Sequence, residues 1–305
     1  MLTIFTTAKP FRGHSAVIQR NAIQSWKRLD PDVEILIFGD DWGAAEVARE
    51  FGAHLEPAIP RNEFHTPYLN WIFDRAQDLA QYELLCYVNC DIVLTSDFPQ
   101  TLRCVAGWRR EFLMVGRRWD TDVSDRLNFT DADWENRIRR RAVAAKRQRP
   151  GNFIDYFAFR RGLFKGKLPP FAAGRPGFDN WLVWYAGAAG AAVVDVSAAV
   201  VAVHQNHDHS HVPQGERGFW YGEEASRNCK FLENGKCFAT IDDARYRLTR
   251  SGVRSNYHRW LARGRRRLAG IPSIAWFVLL DLTRPLRHRI GLRQTKMPDL
   301  RVKDH

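Results

Sequence analysis

From Glu83 to Val88 the chain reads Glu-Leu-Leu-Cys-Tyr-Val, a run apolar after its first residue, closed by Asn89-Cys90-Asp91 and followed by a second apolar stretch, Ile92-Val93-Leu94. A strand with one face in water alternates apolar and polar residues, so an unbroken run belongs to a strand covered on both faces. The sequence thus predicts an inner strand with helices on either side. The polar triplet at its end lies where open α/β sheets hold their ligands.

The flanking segments fit that architecture. Leu2 to Thr6 and Val33 to Phe38 read as strands, and 15–29 between them has the apolar spacing of a helix, which makes a β-α-β unit with parallel pairing. Helices are expected over 43–51 and 67–82, the latter with Pro67 in its first turn and an apolar face of Leu69, Ile72, Phe73, Ala76, Leu79 and Ala80. Further strands are predicted over 112–116, 156–159, 192–196 and 200–204, helices over 131–149 and 178–188, and loops over 169–177 and 205–217. At 305 residues and 45% apolar content the chain can bury a large α/β core.

The net charge of +12 is unevenly placed. Residues 245–305 carry 14 Arg and 2 Lys against three Asp, a net of +13, which leaves residues 1–244 at −1. A neutral body with a cationic tail argues against a nucleic-acid-binding fold, for which the basic surface would be the body itself. The five cysteines form an odd set without close pairs, so neither a disulfide framework nor a zinc finger is indicated, and a reducing, cytoplasmic setting is expected. The first residues lack the basic and long apolar regions of a secretory signal. Neither 182–203, which carries Asp195, nor the short 271–280 run reads as a membrane span.

Four segments carry candidate chemistry. The first strand is followed by Thr6-Thr7-Ala8-Lys9-Pro10-Phe11-Arg12-Gly13 rather than a Gly-x-Gly-x-x-Gly turn, which excludes a simple dinucleotide dehydrogenase. Lys9 and Arg12 there could meet phosphates, and Asp40 after the second strand could accept hydrogen bonds from a ribose or base. Asp91, on a rigid strand end, is either a hard oxygen ligand for Mg²⁺ or Mn²⁺ against a diphosphate or the cap of a turn. Asp179, in Gly174-Arg175-Pro176-Gly177-Phe178-Asp179-Asn180-Trp181, is either a general base or a helix cap. Four histidines between His204 and His211 offer metal ligands or a solvated loop. The Arg-rich 131–149 stretch is either a solvated helix or an anion site.

In this order along the chain, these elements resemble the GT-A glycosyltransferases, and more narrowly a bacterial, family-2-like group. The resemblance is carried by Thr6 to Phe11, Phe38-Gly39-Asp40, Leu85 to Ile92, Gly116-Arg117-Arg118-Trp119-Asp120, Gly174 to Trp181 and His204-Gln205-Asn206-His207, and covers about 1–244. It implies a Rossmann-like, mostly parallel sheet, with a donor-binding half (1–100), an acceptor half (101–244) and a basic extension (245–305). It also implies transfer of a sugar from a nucleotide-diphosphate sugar, bound by Thr6, Thr7, Lys9, Arg12, Asp40, Asn89 and Asp91, to a glycan or lipid-linked acceptor. Asp91 matches the last Asp of the Asp-x-Asp metal motif, His204 or His207 the later metal-binding His, and Asp179 the catalytic Asp, with Mn²⁺ or Mg²⁺ as cofactor. Asn89 stands where the motif has its first Asp, and Phe178 where Asp179 usually has an acidic neighbour.

Trp119, Asp120, Asp155, Tyr156, Arg175 and Trp181 are expected on the acceptor side, since flat rings beside polar groups suit sugar faces and hydroxyls. In the tail, Arg263, Arg265, Arg266 and Arg267 beside Trp260, Leu261, Leu268, Trp276, Phe277 and Leu279 suit an anionic bilayer surface, so residues 255–295 are expected to attach peripherally at the inner face of the cell membrane, the alternative being a helical extension packed on the catalytic domain. The competing readings are a metal-dependent phosphoester or nucleotide-sugar hydrolase, and a basic nucleic-acid-binding protein.

Overall fold

The computed structural model describes residues 1–207 and 215–257. The chain runs β1 (Thr3–Thr7), α1 (Gly13–Lys27), β2 (Glu34–Phe38), α2 (Ala44–Phe51), β3 (His54–Glu56), α3 (Leu69–Leu79), β4 (Leu84–Val88), β5 (Ile92–Val93), α4 (Asp97–Trp108), β6 (Phe112–Val115), β7 (Arg118–Thr121), α5 (Trp134–Ala144), β8 (Tyr156–Arg160), α6 (Phe178–Ala188), β9 (Ala192–Asp195), β10 (Ala202–Gln205), α7 (Gly215–Tyr221), α8 (Glu223–Lys230), β11 (Tyr246–Thr249) and β12 (Gly252–Ser255).

Nine strands form the main sheet, in the order β12-β11-β9-β6-β8-β4-β1-β2-β3. The pairs β1–β2, β1–β4, β2–β3, β6–β9 and β9–β11 are parallel, whereas β8 runs antiparallel between β4 and β6. The sheet is thus mostly parallel and flanked by helices, as the sequence predicts. β4 lies between β1 and β8, and its side chains alternate between two cores. Leu85 and Tyr87 join Phe5, Phe73, Phe159 and Phe178 on one face. Cys86 and Val88 join Ile4, Ile37, Trp26 and Met114 on the other. That two-sided burial explains the unbroken apolar run, and full burial of Leu85 or Val88 stabilises the fold by roughly 1.5–3 kcal/mol each. Edge-to-face rings, Phe5–Phe73 at 5.0 Å and Phe159–Phe164 at 4.8 Å, lock the first core.

A small second sheet, β5-β10-β7, stands apart from the first. β10 pairs antiparallel with β5 and parallel with β7. Its buried face packs Val93, Trp119 and Val203 against Trp134, Ile138 and Ala142 of the α5 segment. β11 and β12, at residues the sequence reading gives to the basic extension, complete one edge of the main sheet through the β9–β11 pairing. Arg247 of β11 and Arg254 of β12 are exposed, and charged side chains on outer strands also hinder pairing with other chains.

No helix among the described residues is long and apolar enough to cross a membrane. The proposed membrane-surface segment, from residue 258 onward, and His209 and His211 lie outside the described residues.

Candidate metal and transfer site

β4 ends on a tight turn, in which Ile92 N–H donates to Asn89 O at 3.1 Å. Helix α1 fixes the strand that follows: Trp26 Nε1 donates to Ile92 O at 2.9 Å, and Leu94 N–H donates to Ser25 Oγ at 3.1 Å. Gln205 Nε2 donates to Asp91 O at 3.1 Å, and Gln205 Oε1 in turn accepts from Asn21 Nδ2 at 2.9 Å. Two elements distant in sequence, α1 and β10, therefore hold the backbone around Asp91.

Around that carboxylate stand two imidazoles. His207 Nε2 is 2.9 Å from Asp91 Oδ2, and His204 Nε2 is 3.8 Å from the same oxygen. One ligand atom from each of Asp91, His204 and His207 can be chosen so that all lie within 4.8 Å of one another. Lys9, just past β1, also reaches the His207 ring, with Nζ 3.3 Å from Nε2 and 3.5 Å from Nδ1. Burial alone would raise the Asp91 carboxyl, but the charges of His204 and His207, a hydrogen bond from His207 and the Lys9 ammonium hold it well below the usual carboxylate range.

Behind this cluster lies a buried ion network that the sequence reading did not resolve. Arg118 donates from Nη1 to Asp155 Oδ1 at 2.8 Å and from Nε to Asp120 Oδ1 at 3.0 Å. Asp155 Oδ1 also accepts from Asn89 Nδ2 at 2.8 Å. Asp120 Oδ1 is 3.3 Å from His204 Nδ1, an ion-pair contact rather than a well-aligned hydrogen bond, and Arg149 Nε is 3.4 Å from Asp120 Oδ2. Burial pushes Asp120 up, and the contact from His204 with the charges of Arg118 and Arg149 outweighs it, so its carboxyl is held low. Arg118 and Arg149 are legible only as charges in a polar stretch; nothing local indicates that they face carboxylates from other strands.

Asp179 sits in the first turn of α6, whose N-cap is Gly177 at φ 106°, a left-handed conformation that favours glycine. Burial pushes its carboxyl up to about 7, and the Asp155 charge adds to the rise, while backbone hydrogen bonds around Asn180 and Gly177 oppose it. Asp179 thus lies two residues past the N-cap, where its carboxylate meets backbone groups of the first turn, and Asp155 links it electrostatically to the network behind Asp91.

Other expected site residues are placed differently. Asn89 uses its amide as a donor to Asp155. Trp119 packs in the core beneath the small sheet, Tyr156 is fully buried with its ring 5.7 Å from Phe98, and Trp181 stacks on Tyr185 at 4.9 Å within the main core. These three rings fill interior volume and do not form an acceptor surface. Arg175 is also committed: both Nε and Nη2 donate to Glu224 Oε2, at 2.9 and 2.6 Å, in a buried pair. Asp120 and Asp155 belong to the ion network.

On the donor side, Thr6 is buried and its hydroxyl donates to Thr7 O at 3.1 Å, Arg12 lies over the Trp42 ring at 4.5 Å, and Asp40 accepts from Arg61 Nη2 at 2.9 Å. The α5 segment is balanced by carboxylates of the chain itself, with Arg139–Asp97 at 3.0 Å, Arg140–Asp133 at 2.7 Å and Arg147–Asp122 at 3.1 Å, which favours the solvated-helix reading over an anion site.

No family model matches the chain, and no curated protein matches it. Among solved structures it is similar to S. aureus TarS residues 1–349 in complex with UDP-GlcNAc, at 10% identity and a TM-score of 0.46, covering 69% of this chain and 60% of that one. It is also similar to M. tuberculosis glucosyl-3-phosphoglycerate synthase, at 15% identity and a TM-score of 0.46 over 76% and 80% of the two chains. The same synthase with Mn²⁺, UDP-glucose and phosphoglyceric acid gives 16% identity and a TM-score of 0.45 over 78% and 79%. Likeness this distant assigns neither substrate nor metal.

Proposed function

We propose that the chain is a GT-A glycosyltransferase that moves a sugar from a nucleoside-diphosphate sugar to a glycan or lipid-linked acceptor, with a divalent cation held by Asp91, His204 and His207. The observation that carries this reading is the meeting of one carboxylate and two imidazoles beside Lys9 at the ends of β4 and β1. The donor set fits a cation: Asp91 Oδ1 is buried and has no hydrogen-bond partner among the described residues. A buried carboxylate oxygen without a partner costs free energy unless something positive meets it.

A bound divalent cation would neutralise charge on the departing diphosphate. The chain's own residues would do the rest. Lys9 adds positive charge beside the phosphates, and the backbone at Thr6 and Thr7, at the end of β1, lines the approach. Asp179, with its carboxyl near 7, is poised to take the proton of an acceptor hydroxyl, because a general base works best when its pKa lies near the operating pH. Two imidazoles and one carboxylate favour Mn²⁺ over Mg²⁺, which prefers all-oxygen coordination.

A thermal-shift screen of UDP-, GDP-, CDP- and dTDP-sugars with and without Mn²⁺ tests the reading. A stabilisation by one nucleotide that needs the metal supports it. Turnover of the donor to free sugar, unchanged by any acceptor, would instead favour a hydrolase.

A further inference from the structure

β7 and β10 are parallel neighbours whose register sets Asp120 beside His204. Partners in register project to the same face of a sheet, and here the carboxylate meets one ring nitrogen while the other turns toward Asp91. We propose that Asp120 is a positioning residue that fixes the tautomer and orientation of His204, so that Nδ1 keeps the proton and Nε2 offers its lone pair to a metal ion. This rests on the reading of Asp91, His204 and His207 as the metal site.

Nδ1 is 3.3 Å from Asp120 Oδ1, a charge contact that a small turn of the ring would align as a hydrogen bond, and Nε2 is 3.8 Å from Asp91 Oδ2. An imidazole has two nitrogens, and a carboxylate facing one of them selects the tautomer that leaves the other as a ligand. Asp120 can serve this role because it is itself held. Arg118 Nε lies 3.0 Å from Oδ1, Arg149 Nε lies 3.4 Å from Oδ2, and Arg118 is pinned in turn by Asp155 at 2.8 Å. Arg118 thus acts one step further back, and Asn89 donates to the same Asp155 oxygen. The arrangement gives the buried charges of β7 a purpose that core packing alone would not require: Asp120, Arg118 and Asp155 form a chain of ion pairs leading back from His204 Nδ1.

The test is Mn²⁺ binding to the full chain, read by electron paramagnetic resonance of free Mn²⁺ and by nitrogen couplings to bound Mn²⁺. The proteins compared are the wild type, Asp120→Ala, Asp120→Asn and His204→Ala. The wild type is expected to show couplings from two imidazoles. Asp120→Ala is expected to weaken Mn²⁺ binding by about 10- to 100-fold, the range for loss of an outer partner of a metal-binding histidine, and to change the His204 coupling. Asp120→Asn keeps an acceptor oxygen and is expected to recover part of the affinity, and it decides the matter should Asp120→Ala fail to fold. A role in stability alone would lower the melting temperature and leave the nitrogen couplings intact. If the Asp120 variants bind within about twofold of wild type with unchanged couplings, while His204→Ala loses one coupling, Asp120 does not position His204 and the metal site stands. If the wild type shows no nitrogen-coupled Mn²⁺, or His204→Ala binds like wild type, the metal assignment fails and this inference fails with it.

Discussion

His207 Nε2 lies 2.9 Å from Asp91 Oδ2 across 116 positions of sequence. The fold brings them together by laying β10 antiparallel to β5, directly after the Asp91 turn. Asp91→Asn preserves the size of the side chain but removes the charge that a cation and both imidazoles meet. Its Mn²⁺ affinity is expected to fall by more than about 100-fold, since even loss of an outer partner costs 10- to 100-fold, and calorimetry measures this directly. In the metal-free protein the depressed Asp91 carboxyl stabilises the fold above the unfolded pKa near 4, and that contribution is lost as the pH falls toward its folded value. Asp91→Asn is therefore expected to flatten the acid side of the stability profile.

The raised carboxyl of Asp179 has consequences of opposite sign for rate and stability. A general base must be ionised, so transfer at saturating Mn²⁺ is expected to rise with pH through about 7 and then level off. Asp179→Asn is expected to lower kcat by about 10²- to 10⁴-fold, the usual contribution of a positioned base. Between the ordinary carboxyl value of 3.8 and about 7 the folded state binds the proton that the unfolded state has released, so this group makes stability fall as pH rises. Asp179→Asn is accordingly expected to melt higher than wild type at pH 8, by less at pH 5, and close to it only below about pH 4. A lower melting temperature at pH 8 would show that the carboxylate is needed as a helix cap.

Asn89 is matched to Asp155, and restoring an acid there would not improve the site. Asn89→Asp would set two carboxylates where a donor now meets an acceptor at 2.8 Å. The expected result is a loss of stability of about 1–3 kcal/mol at pH 8, the cost of a broken buried hydrogen bond, with part recovered at pH 5 as one acid takes up a proton. Mn²⁺ affinity is expected not to increase.

Arg175 and Glu224 form a buried pair that ties the α6 entry loop to α8. Removing one partner leaves the other charge buried, which costs about 3–5 kcal/mol. Arg175→Met is expected to be destabilised on that scale, and Arg175→Met combined with Glu224→Leu to recover much of it. Denaturant melts of the two proteins check this, and an acceptor-binding role would appear instead as a raised KM in a stable Arg175→Met protein.

The parts of the molecule that follow local rules were legible in the sequence. The Leu84–Val88 run showed a strand covered on two faces, the β1-α1-β2 unit its parallel partners, and Phe178–Ala188 its helix. The small sheet escaped notice because β5 is two residues long and β7 reads Arg-Trp-Asp-Thr, a pattern whose charges become buriable only when β4, β8 and β10 supply partners. The same cause misplaced Trp119, Tyr156 and Trp181. A ring beside a carboxylate looks alike in sequence whether it faces a sugar or a core, and only the packing of α4, α5 and α6 separates the two. Asp91 could be named from its strand end, and His204 and His207 from the family resemblance, but their separation could not, because it depends on the pairing of β5 with β10.

Calorimetric titration of nucleoside diphosphates into the protein tests the central claim most directly. With Mn²⁺ present, one of UDP, GDP, CDP or dTDP is expected to bind, more weakly with Mg²⁺ and not measurably without metal, and Asp91→Asn is expected to abolish the Mn²⁺-dependent heat. Binding of none of the four with Mn²⁺ present, or binding indifferent to both the metal and Asp91, would contradict it.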